Sequence, residues 1–215
     1  MKIFYLEHLK LRKKTRSWLG PILVFSLIMI AYPLTVEFLQ TNLEKGFYSL
    51  LWISILLSMM LATEDIFLED FSDGSLEQTI ISNASFPLLI AKKIFIYWLM
   101  IGVPISFLSF LFSLSLTQDF NLSLSIFPLS VVSSYIFLNL FVFGNALSLN
   151  KGSVLGAIIT MPLALPVLII LGKSVIAIEF GINYVEFLLL LLGILSIIIT
   201  IVPFIISYVI KAHLE

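Results

Sequence analysis

Charged residues are absent from six long segments of this chain, and this pattern limits what the chain can fold into more than any other feature. The six segments are 17–36, 46–63, 94–118, 120–150, 152–172 and 187–210. Each can cross roughly 30 Å of hydrocarbon as a helix, since that takes about 20 residues. With their loops they account for the whole chain. We therefore predict an all-α polytopic membrane protein with six transmembrane helices in a single domain, 1–215.

The positions of the cations predict an orientation. The chain is 60% hydrophobic and only 12% charged, whereas a soluble domain is about 25% charged. If the N-terminus is cytoplasmic, only Lys45 and Lys173 lie in outer segments. The inner segments then hold Lys2, Lys10, Arg12, Lys13, Lys14, Arg16, Lys92, Lys93, Lys151 and Lys211. By the positive-inside rule both termini and residues 64–93 face the cytoplasm, across the inner membrane of a bacterium or a mitochondrion.

The first segment, residues 1–16, is basic with interspersed apolar side chains. Two interpretations stay open. The segment is either a helix lying on the cytoplasmic membrane surface, with its cations near anionic headgroups, or a basic tail that only sets the topology.

Glycine and proline indicate irregular helices in two spans. Gly102 and Pro104 predict a kink in the third span. Pro162 and Pro166 predict that the fifth span is bent or broken, because proline removes a backbone donor and clashes with the preceding turn. Outer residues 173–186 contain several Ile and Phe side chains, which favours a short interfacial or re-entrant piece over a plain loop.

Segment 64–93 is the one long inner loop, and it is acidic. Its carboxylates are Glu64, Asp65, Glu69, Asp70, Asp73 and Glu77. They resemble one of the aspartate-rich motifs with which membrane prenyltransferases hold Mg²⁺ on a diphosphate. Those enzymes need two such clusters and this chain has one, so we expect no metal site and no catalytic residue here. A solvated acidic loop is the plainer alternative.

A short helix is encoded within the same segment. Ser75 to Gln78 match a capping box, with Ser75 as N-cap and Gln78 at the third helical position. Gly74 permits a sharp turn before it, and Glu77 lies where the helix dipole favours an anion. We predict a helix from Leu76 to about residue 82, with Leu76, Ile80 and Ile81 on an apolar side suited to docking a soluble partner.

Several other chemistries are disfavoured. Gly172-Lys173-Ser174 imitates the end of a phosphate-binding loop, but Val167 stands where a glycine is required, so we expect ATP to be bound by a partner. The chain has no cysteine, and His8 and His213 lie in cytoplasmic tails. We therefore expect this chain to bind no cofactor. No span carries an ionisable group near its middle, which argues against a proton- or sodium-driven carrier.

Residues 73–78, which follow the second span, resemble the coupling segment of type-2 ABC exporter permeases. Ala91-Lys92-Lys93, Trp98-Leu99, Gly102-Val103-Pro104 and the stretch 161–169 resemble the haem exporter protein B family of cytochrome c maturation. The likeness covers essentially the whole chain. Two departures are the acidic residues in 64–70, where that family usually has basic residues, and Tyr97, where a histidine is expected.

The resemblance implies a permease that works with a cytoplasmic ABC ATPase subunit carrying the ATP. It further implies a second copy of this chain, a haem-handling membrane protein and a small accessory subunit, all among membrane lipids and without nucleic acid. ATP hydrolysis would be tied to release of a haem-loaded periplasmic chaperone. In this scheme residues 76–82 contact the ATPase and move with its conformational change, while Gly74 and Ser75 set the angle of that helix. The residues that offer charge or polar contacts to the ATPase are Asp70, Asp73, Glu77 and Gln78.

Three alternatives remain at this level. The first is a type-2 exporter for a lipid, polysaccharide or drug, against which the Pro162/Pro166 segment weighs. The second is the prenyltransferase-like enzyme, opposed by the missing second cluster. The third is a non-transporting assembly subunit of the haem machinery.

The predicted orientation can be measured with single cysteines, because the natural chain has none. A Ser82→Cys reporter should stay unlabelled by an impermeant thiol reagent added outside the cell, whereas Asn42→Cys should react. Both should react once the membrane is permeabilised. Labelling of Ser82→Cys alone in intact cells would reverse the orientation.

Overall fold

The computed structural model describes residues 15–37, 44–82, 85–149 and 153–214, and within these ranges the regular structure is helical, with no strand. Among these described residues, six helical segments are long and apolar enough to cross a membrane. The predicted all-α class with six spans is therefore confirmed. The helices are α1 Thr15–Glu37, α2 Glu44–Thr63, α3 Leu68–Ser72, α4 Ser75–Ser82, α5 Phe86–Tyr97, α6 Val103–Thr117, α7 Phe120–Leu147, α8 Ser153–Glu179 and α9 Val185–Leu214.

Helix α7 is the centre of the bundle. It contacts α2, α6, α8 and α9, and 72% of its spanning window is buried, against 17% for the first span and 22% for the last. Lipid tails are as apolar as a protein core, so membrane helices associate through close packing and interhelical hydrogen bonds. The other spans are arranged around α7 and turn large apolar side chains outward, especially from α8 and α9.

Buried hydroxyl groups join α6 to α7. The hydroxyl of Ser113 lies 3.1 Å from that of Ser123 and 3.3 Å from the phenol oxygen of Tyr48 on α2. One step further along, the hydroxyls of Ser106 and Ser134 are 3.4 Å apart. The short connection between the two helices is capped by Asp119, whose carboxylate accepts the amides of residues 121 and 122. These bonds make α6 and α7 one packed unit.

Glycine sets the crossing of α7 and α8. A Cβ added to Gly144 would lie 2.5 Å from the carbonyl oxygen of Gly156 and 2.6 Å from the Thr160 methyl group. The two backbones are therefore in direct contact, which only small residues allow.

The third and fifth spans differ in how they accommodate their helix breakers. In the third, a π-helical turn at Trp98–Gly102 separates α5 from α6, directly before Pro104. In the fifth, α8 is continuous through Pro162 and Pro166, so the span is not broken, and the alternative that it is bent stays a prediction. Where water is absent, a continuous helix that lacks two backbone hydrogen bonds has a lower free energy than a broken helix, because a break would leave many backbone N–H and C=O groups unpaired.

The segment beyond the fifth span also differs from expectation. Residues 173–179 continue α8, and a tight turn with Gly181 at φ 66° leads directly to α9. The predicted interfacial or re-entrant piece is therefore replaced by the end of a spanning helix.

The α7–α8 contact predicts a glycine-specific effect. Gly144→Ala should lower thermal stability in detergent, since overpacking in a core costs about 1–3 kcal/mol. Gly193→Ala is the matched control, because a Cβ there meets nothing within 4 Å on its helix. Equal unfolding temperatures for both variants would contradict the backbone contact.

Candidate functional site

The candidate site is the α3–α4 hairpin, residues 68–82, which lies between the second and third spans at the end of the bundle where α1 begins and α9 ends. The segment 64–93, taken as a loop from the sequence, thus contains α3, α4 and the first two turns of α5. Gly74 joins α3 to α4 with φ 72°. Only glycine adopts this left-handed geometry without strain, so the sharp turn depends on it.

The start of α4 is capped differently from the predicted capping box. Ser75 is the first residue of α4 rather than its N-cap, and its amide donates to the Asp73 carboxylate over 3.0 Å. The Ser75 hydroxyl donates back to the carbonyl oxygen of Asp70 over 3.3 Å. The amide of Gln78 bonds to the Gly74 carbonyl as an ordinary helix bond. Because the left-handed turn at Gly74 brings the Asp73 side chain over the helix start, Asp73 caps α4 and Ser75 ties it to α3.

Asp70 points inward instead of offering its charge to a partner. Its carboxylate forms an ion pair with the Lys93 ammonium on α5, and the two side chains are 12% and 11% exposed. The same ammonium lies 5.6 Å from the ring centre of Phe67, within the range of a cation–π interaction. The resemblance to the coupling segment predicted instead that Asp70 offers its charge to a partner, and Lys93 had no predicted role beyond that of an inner cation. The 23-residue separation of the pair left no local pattern by which to connect them.

The apolar side of α4 is also turned inward. Leu76 is buried in the main core and Ile80 packs against it, so these residues hold α4 in place and are unavailable for docking. The side chain of Ile81 lies outside the described residues. Among the hairpin residues whose side chains are described, the exposed ones are Leu68 on α3 and, around the turn and on α4, the polar or small residues Ser72, Asp73, Gly74, Glu77 and Gln78.

A second anchor fixes the chain just before the hairpin. The side-chain amide of Asn145 on α7 donates to the carbonyl oxygen of Thr63, the last residue of α2, over 2.7 Å. This carbonyl belongs to the helix end, where partners from the same helix run out. A polar residue in an otherwise apolar run was the available sequence signal for Asn145.

Two clefts flank the Glu64-Asp65 turn. The larger, of about 410 Å³, lies between α1, α2 and α5, and Tyr97 is among its lining residues. The smaller, of about 180 Å³, reaches Asn145 on α7. Among the residues that the structure describes, no group of three or more side chains is placed to hold a metal ion.

The remaining candidate residues lie away from the hairpin. The indole of Trp98, in the π-helical turn with Gly102, donates to the Ser134 hydroxyl over 3.1 Å, and Pro104 follows in α6. Pro162 and Pro166 are exposed on α8. His213 is part-buried at the end of α9, with its Nδ1 atom 2.8 Å from its own helix's Val209 carbonyl. His8 and most of the basic segment 1–16 lie outside the described residues.

Comparison with known proteins identifies the family to which this chain belongs. A family model described as CcmB protein matches residues 1–213. The chain belongs to the CcmB family. Similar proteins include Heme exporter protein B of Haemophilus influenzae, 28% identical over 94% of this chain and 93% of the relative. Heme exporter protein B of Pseudomonas aeruginosa is 32% identical over 87% of this chain and 85% of the relative. The resemblance to this family inferred from the residues is thereby confirmed.

The hairpin geometry predicts a graded response at Gly74. A Cβ there meets no neighbour within 4 Å, so the cost of a side chain comes from φ alone, about 1–2 kcal/mol for an ordinary L-residue. Gly74→Asn should be tolerated best, Gly74→Ala less and Gly74→Val least, because asparagine adopts the left-handed region more readily and β-branched residues resist it.

This series can be measured as protease cleavage within residues 68–82 of the purified protein. Gly20→Ala in α1 is the control, since it lies in an ordinary helix with free space around its Cβ. Equal cleavage of Gly74→Asn and Gly74→Val would contradict the left-handed turn.

Proposed function

We propose that this chain is the permease subunit of an ABC transporter that exports haem or serves haem delivery for cytochrome c maturation. The proposal is supported by membership of the CcmB family and by relatives named Heme exporter protein B. The chain resides in the bacterial inner membrane with both termini in the cytoplasm, in agreement with the distribution of its Lys and Arg residues.

The observation that carries the proposal is the hairpin at the end of the bundle where α1 begins and α9 ends. It presents exposed polar side chains, Asp73 in the turn and Glu77 and Gln78 on α4. Leu76 of α4 is buried in the core, and Asp70 of α3 is paired with Lys93. A surface helix that is anchored to the bundle can transmit a displacement, imposed by a soluble partner, to the membrane spans. A flexible loop would change its own conformation instead and would transmit little of that displacement.

The partner is a cytoplasmic ATPase subunit that binds and hydrolyses ATP. The exposed carboxylates of Asp73 and Glu77 suit a basic receiving surface, and their complementary charge speeds encounter and fixes register. Since ABC ATPases hydrolyse ATP between two copies, the working unit contains two ATPase subunits and a second copy of this chain.

Haem is handled by other members of the complex. Protein haem sites use His, Met, Cys or Tyr as axial ligands. This chain has no cysteine, its two histidines lie near its two ends, and its six Met and seven Tyr side chains are weaker candidates than a histidine of a partner. We assign the haem ligand to a His-bearing membrane partner, assisted by a small accessory subunit. ATP hydrolysis then drives release of the haem-loaded periplasmic chaperone.

The test is charge reversal on the exposed side of α4. Glu77→Lys combined with Gln78→Lys should weaken ATPase binding by about tenfold or more, because like charges facing each other across an interface cost several kcal/mol. Cytochrome c maturation, measured as covalently attached haem, should fall while the amount of this chain in the membrane stays unchanged.

Glu179→Lys is the matched control. It reverses an exposed carboxylate at the C-terminal end of α8, at the opposite end of the bundle, where a cation suits the helix dipole. Unchanged ATPase binding and maturation in the double variant would refute the coupling role of the hairpin.

A further inference from the structure

A buried ion pair joins the α3–α4 hairpin to the third span. Asp70 on α3 meets Lys93 on α5, and Phe67 covers the same ammonium. The hydroxyl of Ser75 binds the Asp70 carbonyl, so the first residue of α4 is linked through one residue to α5. Displacement of α4 therefore acts on α5 at Lys93.

Helix α5 is a short segment that packs against the rest of the bundle independently of α6. Ile90 and Ile94 are buried, and α5 contacts α9. It ends one turn after Lys93, at Tyr97, where the π-helical turn Trp98–Gly102 begins. A π-turn replaces the regular helical bonding over one turn and occurs frequently at functional sites. Of the third span, this turn is the segment that departs from α-helical geometry.

Beyond the π-turn the same span is fixed. Helix α6 is joined to α7 by the Ser106–Ser134 and Ser113–Ser123 contacts. The indole of Trp98 donates to the same Ser134 hydroxyl, which places the π-turn directly against α7. The third span thus has a driven half and an anchored half, separated by an irregular turn.

We propose that Asp70 and Lys93 are positioning residues that carry hairpin displacement to α5, which pivots about the π-turn Trp98–Gly102 against the fixed α6–α7 pair. This inference rests on the proposed function of the hairpin as the ATPase contact and deepens it by naming the route into the membrane. Lys92, the exposed neighbour of Lys93, takes no part in it.

The direct measurement is a pair of distances between spin labels in the complex with its ATPase, compared between the nucleotide-free and the ATP-trapped state. Labels at Leu88→Cys on α5 and Leu111→Cys on α6 straddle the π-turn, and both positions are exposed. Their separation should change on the order of 2 Å or more, the scale of helix shifts in switching proteins. Labels at Leu111→Cys and Leu124→Cys, on α6 and α7, are the control and should hold their distance.

The ion pair is tested by replacing both partners. Single changes at Asp70 or Lys93 leave a buried charge unpaired and can unfold the protein, whereas replacing both partners by uncharged residues of similar size leaves no buried charge unpaired. The double variant Asp70→Asn, Lys93→Met should therefore insert, bind the ATPase and support ATP hydrolysis. It should lose the Leu88–Leu111 distance change and lower cytochrome c maturation about tenfold, equivalent to about 1.4 kcal/mol of lost coupling. Lys92→Met should behave as wild type.

Three results would overturn the inference. The first is that the Leu88–Leu111 distance does not change in the complex with the natural Asp70–Lys93 pair. The second is that the Leu111–Leu124 distance changes by the same amount. The third is full cytochrome c maturation by a stable Asp70→Asn, Lys93→Met protein. The last result would reduce the pair to a structural role. Failure of the proposed function is distinguished by Gln78→Cys. If this residue does not cross-link to the ATPase, the hairpin is not the contact, whereas cross-linking without α5 movement rejects only the transmission route.

Discussion

A bilayer offers no partner to a backbone amide, and the structure follows from that constraint. Backbone hydrogen bonds must be satisfied within the protein, and each span of this chain satisfies them within its own helix. The constraint explains why α8 stays continuous through two prolines. It is also consistent with the irregular turn of the third span, which buries Ile101 and Gly102 and bonds its Trp98 indole to a serine hydroxyl of α7. Irregular backbone at membrane depth is tolerated where protein, not lipid, surrounds it.

The same solvent removes the usual reason for helices to associate. Because the lipid and the protein core are both apolar, the specific pairing of helices depends on the fit of their surfaces and on a few polar groups. Here these are the glycine crossing of α7 and α8, the serine contacts of α6 and α7, and the Asn145–Thr63 bond that ties α7 to the end of α2. All three involve α7, so the helix that is most buried also determines where its neighbours lie.

The spans could be predicted from the sequence because they depend on charge alone, which changes abruptly at each boundary. The helix at residues 75–82 could be predicted because its turn and cap are local. The choice between Ser75 and Asp73 as cap could not, since it depends on the φ angle of Gly74. The inward direction of Asp70 was missed for a different reason. Its partner Lys93 belongs to another span, and an apolar run carries no periodicity that separates a lipid-facing side from a protein-facing one.

The contact between Gly144 and Gly156 has a consequence for how such sequences can diverge. A side chain at either position would meet the backbone of the other helix, and no change in a neighbouring side chain can move a carbonyl group out of the way. A second substitution nearby, which usually compensates for a change in a protein core, therefore cannot compensate for a larger residue at this crossing. A lineage can leave the glycine pair only by separating the two helices, so these two positions should be among the slowest to vary.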